Sequence, residues 1–387
     1  MEVAPRGRGA EVRPVRGRPS VRTALPNWCA LVVTETTATF EKGRTEHDLP
    51  DIVIDVHAHT IPQTFLAAVG RDHRFRVRVE QRGPSLWLVH DEGYGYPVTP
   101  DFYDASARLT ALDRMGVDAA VLSPSPTLFY YSADPRFAAE VAHLVNDGQA
   151  AMVAGNPSRL HAMGVVPLQD TEPAIRELER CVDELGFAGV HIGCTVGGES
   201  VFSPAREAFF RRAAELGVTV FVHPAYVGPR PGLEQYYLTN LVGNPVETTI
   251  AIGNAIFSGL CERLPGLRLL FAHGGGFAPY QIGRFDHGFR VRPESRVALT
   301  HPPSRYAPRL FYDTITHNGQ ALAYLVATVG PEQVLLGSDA PFDMADPDPV
   351  KSVRQCPLDD RARRLILGGN AAALFGWSNP KSEVRHG

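Results

Sequence analysis

Four stretches of the sequence end an apolar run with a side chain able to hold a metal ion. They are Asp55-Val56-His57-Ala58-His59, Phe221-Val222-His223-Pro224, Phe271-Ala272-His273 and Leu336-Gly337-Ser338-Asp339. Side chains two apart on a β-strand share a face, so His57 and His59 can grip one ion. Imidazole nitrogens with a carboxylate form the donor set that zinc, iron or manganese accepts, with room left for water. A lone strand-end histidine is usually a hydrogen-bonded structural residue. Polar groups ending four separate apolar runs are far harder to assign to structure alone. His191 also sits inside an apolar run, and its part in a pocket stays open. His73, His90, His143, His161, His287, His301, His317 and His386 lack this setting and read as structural or solvated.

These residues need a scaffold that gathers strand ends. From Ile52 onward, short apolar runs alternate with helical stretches. The runs cover residues 52–56, 119–122, 162–166, 189–192, 218–222, 267–271, 310–312 and 334–336. Such uninterrupted apolar runs suit parallel strands buried on both faces. Helical patterns follow over 104–115, 135–154, 172–185, 204–216, 246–264, 278–288, 320–329 and 359–374, and Gly116, Gly186, Gly217 and Gly330 supply stop signals. Eight such units predict a (β/α)8 barrel, whose active site is built at the C-terminal ends of its strands. A doubly wound sheet would carry a glycine-rich loop after its first strand, and none is present.

The barrel is expected over residues 49–378. An insertion after its first strand, residues 60–103, reads as a small β-hairpin lid, with strands near 75–80 and 86–89 around a Gly83-Pro84 turn. Residues 1–48, rich in Arg, Pro and Gly, read as a disordered extension or the result of a misplaced start codon, and 379–387 as a flexible tail.

Composition excludes other classes. With 44% hydrophobic residues, 21% charged residues and a net charge of -4, the chain can build a large core and has no basic excess for a nucleic-acid backbone. No apolar run reaches the roughly 18 residues of a membrane span. The five cysteines are scattered without a CxxC pair, which argues against a disulfide framework and for a cytoplasmic protein with reduced thiols.

The strand-end residues, together with Leu241-Val-Gly-Asn-Pro-Val-Glu-Thr-Thr-Ile-Ala-Ile, Phe271-Ala-His-Gly-Gly-Gly and Gly283-Arg-Phe-Asp-His-Gly-Phe, resemble the decarboxylase branch of the amidohydrolase superfamily, the aminocarboxymuconate semialdehyde decarboxylase-like enzymes. The resemblance implies that His57, His59, His223 and Asp339 hold one divalent ion, zinc first and manganese or iron as alternatives, and that His273 is the catalytic acid/base. It also implies substrate contacts from Phe342 and from Arg108 and Arg284, the latter reaching across a homodimer interface. Two-metal relatives use a bridging lysine or carboxylate on strand four. Lys42, Lys351 and Lys381, the only lysines, all lie outside the strands, so a single ion is expected.

The reaction implied is non-oxidative decarboxylation of a small conjugated carboxylic acid, like an aminocarboxymuconate semialdehyde or a hydroxybenzoate. The ion would lower the pKa of water towards about 7 or chelate the substrate. A hydrolase or hydratase on the same scaffold is the alternative. Ala225-Tyr226 replaces the Trp that follows His-Pro in the animal decarboxylases, so the pocket has its own shape.

Overall fold

Parallel pairing runs through eight strands in chain order: Ile54–Thr60 (β1), Ala119–Pro124 (β2), Leu160–Gly164 (β3), Gly189–Gly193 (β4), Thr219–His223 (β5), Arg268–Phe271 (β6), Phe311–Asp313 (β7) and Val334–Leu335 (β8). In this computed structural model, residues 51–225 and 231–377 are described. The expected N-terminal extension, the C-terminal tail and Tyr226 lie outside them. A parallel bridge from Ala58 to Ala340 and the bond from Val56 N to Leu336 O, 2.9 Å, join the last strand to the first. The sheet is thereby a (β/α)8 barrel, as the alternation of patterns predicts.

Helices on the outside cover the sheet because each is punctuated by its sequence. Asp104 accepts from Ala107 N to start Ala105–Met115, and Gly116, in the left-handed conformation at φ 70°, stops it. Asp134 and Pro135 start Pro135–Ala154 in the same way. The single helix expected over 246–264 is divided: Asn244–Phe257 and Leu260–Arg263 are separated by Gly259 at φ 75°.

Inside the barrel, Ile54, Val121, Met163, Phe221, Leu270 and Leu335 pack with Ala371, Leu374 and Trp377 into an apolar floor. Trp377 also stacks on His161 at the start of β3, their ring centroids 3.6 Å apart. At about 25 cal/mol per Å² removed from water, this floor and the helix-to-sheet layer drive closure.

The insertion after β1 is larger than the hairpin expected. Val77–Arg82 and Ser85–His90 form that hairpin, and Gly95–Val98 adds a third antiparallel strand. The Gly and Pro in this last strand hide it from a pattern search; an edge position tolerates them. Leu88, Val98 and Phe102 of this cap pack on Phe65, Leu128, Phe137 and Val141.

Candidate metal centre

Period-two alternation running straight through β1 would put His57 and His59 on the face opposite Ile54. A register shift between Asp55 and Ala58 inserts one residue, so that Ile54 pairs with Ala119 and His59 with Ser123. Ala119 and Ser123 share a face, and both histidines therefore turn into the barrel with Ile54. Extra residues of this kind re-aim side chains beside active sites.

The rings of His57 and His223 are each oriented by a bond at the far nitrogen. His57 Nδ1 lies 2.6 Å from Asp313 Oδ2, which leaves Nε2 facing inward, 2.9 Å from His59 Nε2 and 3.3 Å from Asp339 Oδ1. His59 Nε2 is 3.1 Å from the same Asp339 oxygen. His223, ending β5, donates from Nδ1 to its neighbour's carbonyl, Pro224 O, at 2.5 Å. Its Nε2 is buried without a partner, as is Nδ1 of His273. His273 Nε2 lies 3.8 Å from Asp339 Oδ2.

One ligand atom each from His57, His223, His273 and Asp339 fall within 4.8 Å of one another. His59 stands at the edge of that group through its contacts with His57 and Asp339. A buried acceptor left without a donor costs about 1–3 kcal/mol. Lone pairs converging on one point can remove that cost by sharing a cation, and these residues fit a divalent ion.

The cluster's charges are strongly coupled. Burial works against charge on His57, but the Asp339 and Asp313 carboxylates outweigh it and raise its pKa to about 10. Burial, with His57 beside it, lowers His59 to about 4. Burial would raise Asp339, yet the surrounding histidines, His57 foremost, hold it well below the usual carboxylate range.

Asp313, which the sequence reading passed over, is the hub of the support. Besides His57 it accepts from the backbone nitrogens of His273 at 2.9 Å, Gly274 at 2.7 Å and Ile315 at 3.0 Å. One carboxylate thus places a candidate ligand and the candidate acid/base together, the arrangement expected behind metal-binding histidines. The glycines after His273 are there for close approach: a side chain at Gly276 would meet the Pro245 carbonyl, and one at Gly275 the Tyr312 ring. His273 at φ 57° and Asp339 at φ 64° adopt the left-handed conformation, a local strain typical of functional positions.

The other expected residues divide. Phe342, half-buried, sets its ring against His59 at 5.2 Å between centroids. Arg284 is exposed on the helix Ala278–Val291 and does not enter its own chain's centre. Arg108 lies at the strand ends beside the cluster. It is fully buried, and its guanidinium donates to His59 O at 2.5 Å and Ala340 O at 3.4 Å. It ties the end of β1 to the end of β8 beside His59 and Asp339, and its Nε is buried without a partner. His191 donates from Nδ1 to Pro124 O at 2.9 Å and leaves Nε2 buried beside the cluster.

A barrel with histidines from β1, β5 and the end of β6 facing an aspartate after β8 defines a metal-centre fold class, and a family match gives that class its name. Residues 54–377 match the Amidohydrolase family, and the chain belongs to it. It is 34% identical over 337 residues, covering 84% of this chain and 91% of the relative, to 2-amino-3-carboxymuconate-6-semialdehyde decarboxylase of Dictyostelium discoideum. Among solved structures, 5-carboxyvanillate decarboxylase of Sphingomonas paucimobilis is 26% identical with a TM-score of 0.71, covering 84% of this chain and 99% of that one. A dihydroxybenzoic acid decarboxylase from Polaromonas sp., solved with bound manganese, has the same fold at a TM-score of 0.66 and 22% identity, covering 84% and 97%. No helix among the described residues is long and apolar enough to cross a membrane.

Proposed function

We propose that this protein is a metal-dependent, non-oxidative carboxy-lyase acting on a small conjugated carboxylic acid. The observation that carries the reading is the convergence of His57, His59, His223, His273 and Asp339, with buried nitrogens lacking partners, at the strand ends of a chain with decarboxylases among its relatives. His57, His59, His223 and Asp339 hold one divalent ion, with zinc the first candidate and manganese, seen in the Polaromonas protein, the second. When bound, the ion supplies Lewis acidity that draws the substrate's carboxylate and adjoining oxygen into place.

The chain's own groups do the rest. Asp313 keeps His57 in one orientation and holds the backbone of His273 at the cleft. As the bond to the carboxyl group breaks, CO2 departs and its electron pair passes into the conjugated system. His273 then delivers a proton to the carbon that lost CO2. Phe342 and the cap exclude water from that carbon.

We place the protein in the cytoplasm as a homodimer. The dimer reading is supported by exposed Phe277, Tyr280, Ile250 and Tyr324. Arg284 follows Tyr280 by one helical turn on the same face. Size-exclusion chromatography with light scattering tests the assembly. The activity test is incubation of metal-loaded protein with carboxymuconate semialdehyde and hydroxybenzoates, measuring CO2. Release of CO2 with one metal per chain supports the reading, whereas products that gain water without losing CO2 assign a hydratase or hydrolase.

A further inference from the structure

His191 is a fifth imidazole at the cluster, fully buried, and neither the candidate ligand set nor the acid/base includes it. It pairs with Phe221 across β4 and β5 and shares that residue's inward face, one layer below His223. Its ring centroid lies 5.6 Å from that of His59 and 5.4 Å from that of His223. Phe221 stacks on it at 4.7 Å, and Phe129 meets it at a steep angle at 4.8 Å.

The two ring nitrogens have different work. Pro124 O, 2.9 Å from Nδ1, is a carbonyl that can only accept, so Nδ1 carries the hydrogen. Burial disfavours the charged form of the ring, and the neutral ring then has a bare lone pair on Nε2. That nitrogen is buried with no partner, which costs about 1–3 kcal/mol unless a donor arrives. Unlike His59, His191 makes no hydrogen bond or ion pair with a candidate ligand. A water held there would need two to four polar partners, and phenyl rings flank the ring.

We infer that His191 Nε2 is a specificity-determining acceptor, receiving a hydrogen bond from an N–H or O–H substituent beside the carboxyl group of the substrate. This rests on the carboxy-lyase reading, which draws that carboxyl group to an ion held in part by His59 and His223. A substituent on the adjoining carbon then arrives beside the residues packed against those two histidines. His191 offers it an acceptor that no described group fills. An apolar substituent in that place leaves the nitrogen unpaired.

Two probes of nearly the same shape test this on the zinc-loaded enzyme: 2-aminobenzoate, which carries the donor, and 2-methylbenzoate, which does not. Calorimetry on the wild type should give about tenfold tighter binding of the amino probe, the worth of one neutral hydrogen bond. His191→Leu should remove that preference by weakening the amino probe alone. In histidine-labelled wild type, the Nε2 resonance, assigned by its loss in His191→Gln, should be that of a bare nitrogen. It should move towards the hydrogen-bonded position with the amino probe only, a readout that does not depend on how His191→Leu folds.

A preference that survives in His191→Leu would overturn the inference, because the ion or another group would then be reading the substituent. So would an equal loss on both probes, which would leave His191 a packing residue, and so would failure of both probes to bind. A resonance that moves on zinc loading and no further with either probe would assign Nε2 to water or to the ion, and would overturn it as well. The expected preference and shift, without CO2 from any acid of the activity test, leave His191 as the reader and remove the carboxy-lyase assignment. CO2 release without them does the reverse.

Discussion

The same eight strands end in opposite chemistries. Deeper in the barrel the interior is Ile54, Val121, Met163, Phe221, Leu270 and Leu335, closed by Trp377. At their C-terminal ends it is Asp55, His57, His59, Ser123, His191, His223, Asp313, Ser338 and Asp339, all buried. Burying apolar groups stabilises the fold, whereas burying polar ones costs free energy unless each finds a partner. The two ends thus divide the labour, with stability at the floor and chemistry at the mouth.

Breaking the mouth should change metal and rate while leaving the fold. His57→Ala is expected to show the largest effect: metal content near zero by elemental analysis and activity at background in the folded fraction. His273→Ala should keep its metal and lose about 10²- to 10⁴-fold in kcat, the usual worth of general acid/base catalysis. Loss of metal in that variant would move His273 among the ligands.

Breaking the floor should do the opposite. Leu270→Ala, at a position with no exposure, should cost about 2–5 kcal/mol of stability with metal stoichiometry unchanged in the folded fraction. A floor variant that lost metal before it lost stability would end the division. Asp313→Asn tests the boundary, since it keeps the shape but weakens the grip on His57 and the turn at His273. Metal affinity should fall by about 10- to 100-fold, read by competition with a chelator.

The smallest effect is expected in the cap. Burial lowers His90 to about 4, and its ring stacks on Tyr94 at 4.3 Å. Its folded pKa lies below the ordinary 6.5, so the unfolded cap binds the proton that the folded cap refuses. The cap's stability should be full above pH 6.5 and decline as pH falls towards 4. Faster amide exchange over Val77–Val98 at pH 5 than at pH 7, after correction for intrinsic rates, and absent in His90→Phe, would bear this out.

What the sequence disclosed follows the same boundary. Alternating apolar runs announce a barrel, and His57, His59, His223, His273 and Asp339 announce themselves by ending those runs. Their supports do not. Asp313 follows Phe311-Tyr312 as an ordinary strand terminus, and its value comes from groups on β1 and after β6 that only folding brings near. The extra residue between Asp55 and Ala58 leaves no mark in composition, although it decides which face the histidines occupy. Arg108 shows a related limit: a helix position carries no mark of depth, and its complete burial beside β1 and β8 comes only with the fold.

The seam between the first strand and the last has a consequence for biosynthesis. Ser338 N donates to Asp55 Oδ1, 283 residues upstream, beside the Arg108 bonds to His59 and Ala340. The candidate ligand set is split across that seam, with His57 and His59 made early on the ribosome and Asp339 near the end. A nascent or prematurely terminated chain holds two histidines with no carboxylate opposite them. Completion of the candidate metal centre therefore waits on synthesis of Asp339 and on closure of the ring.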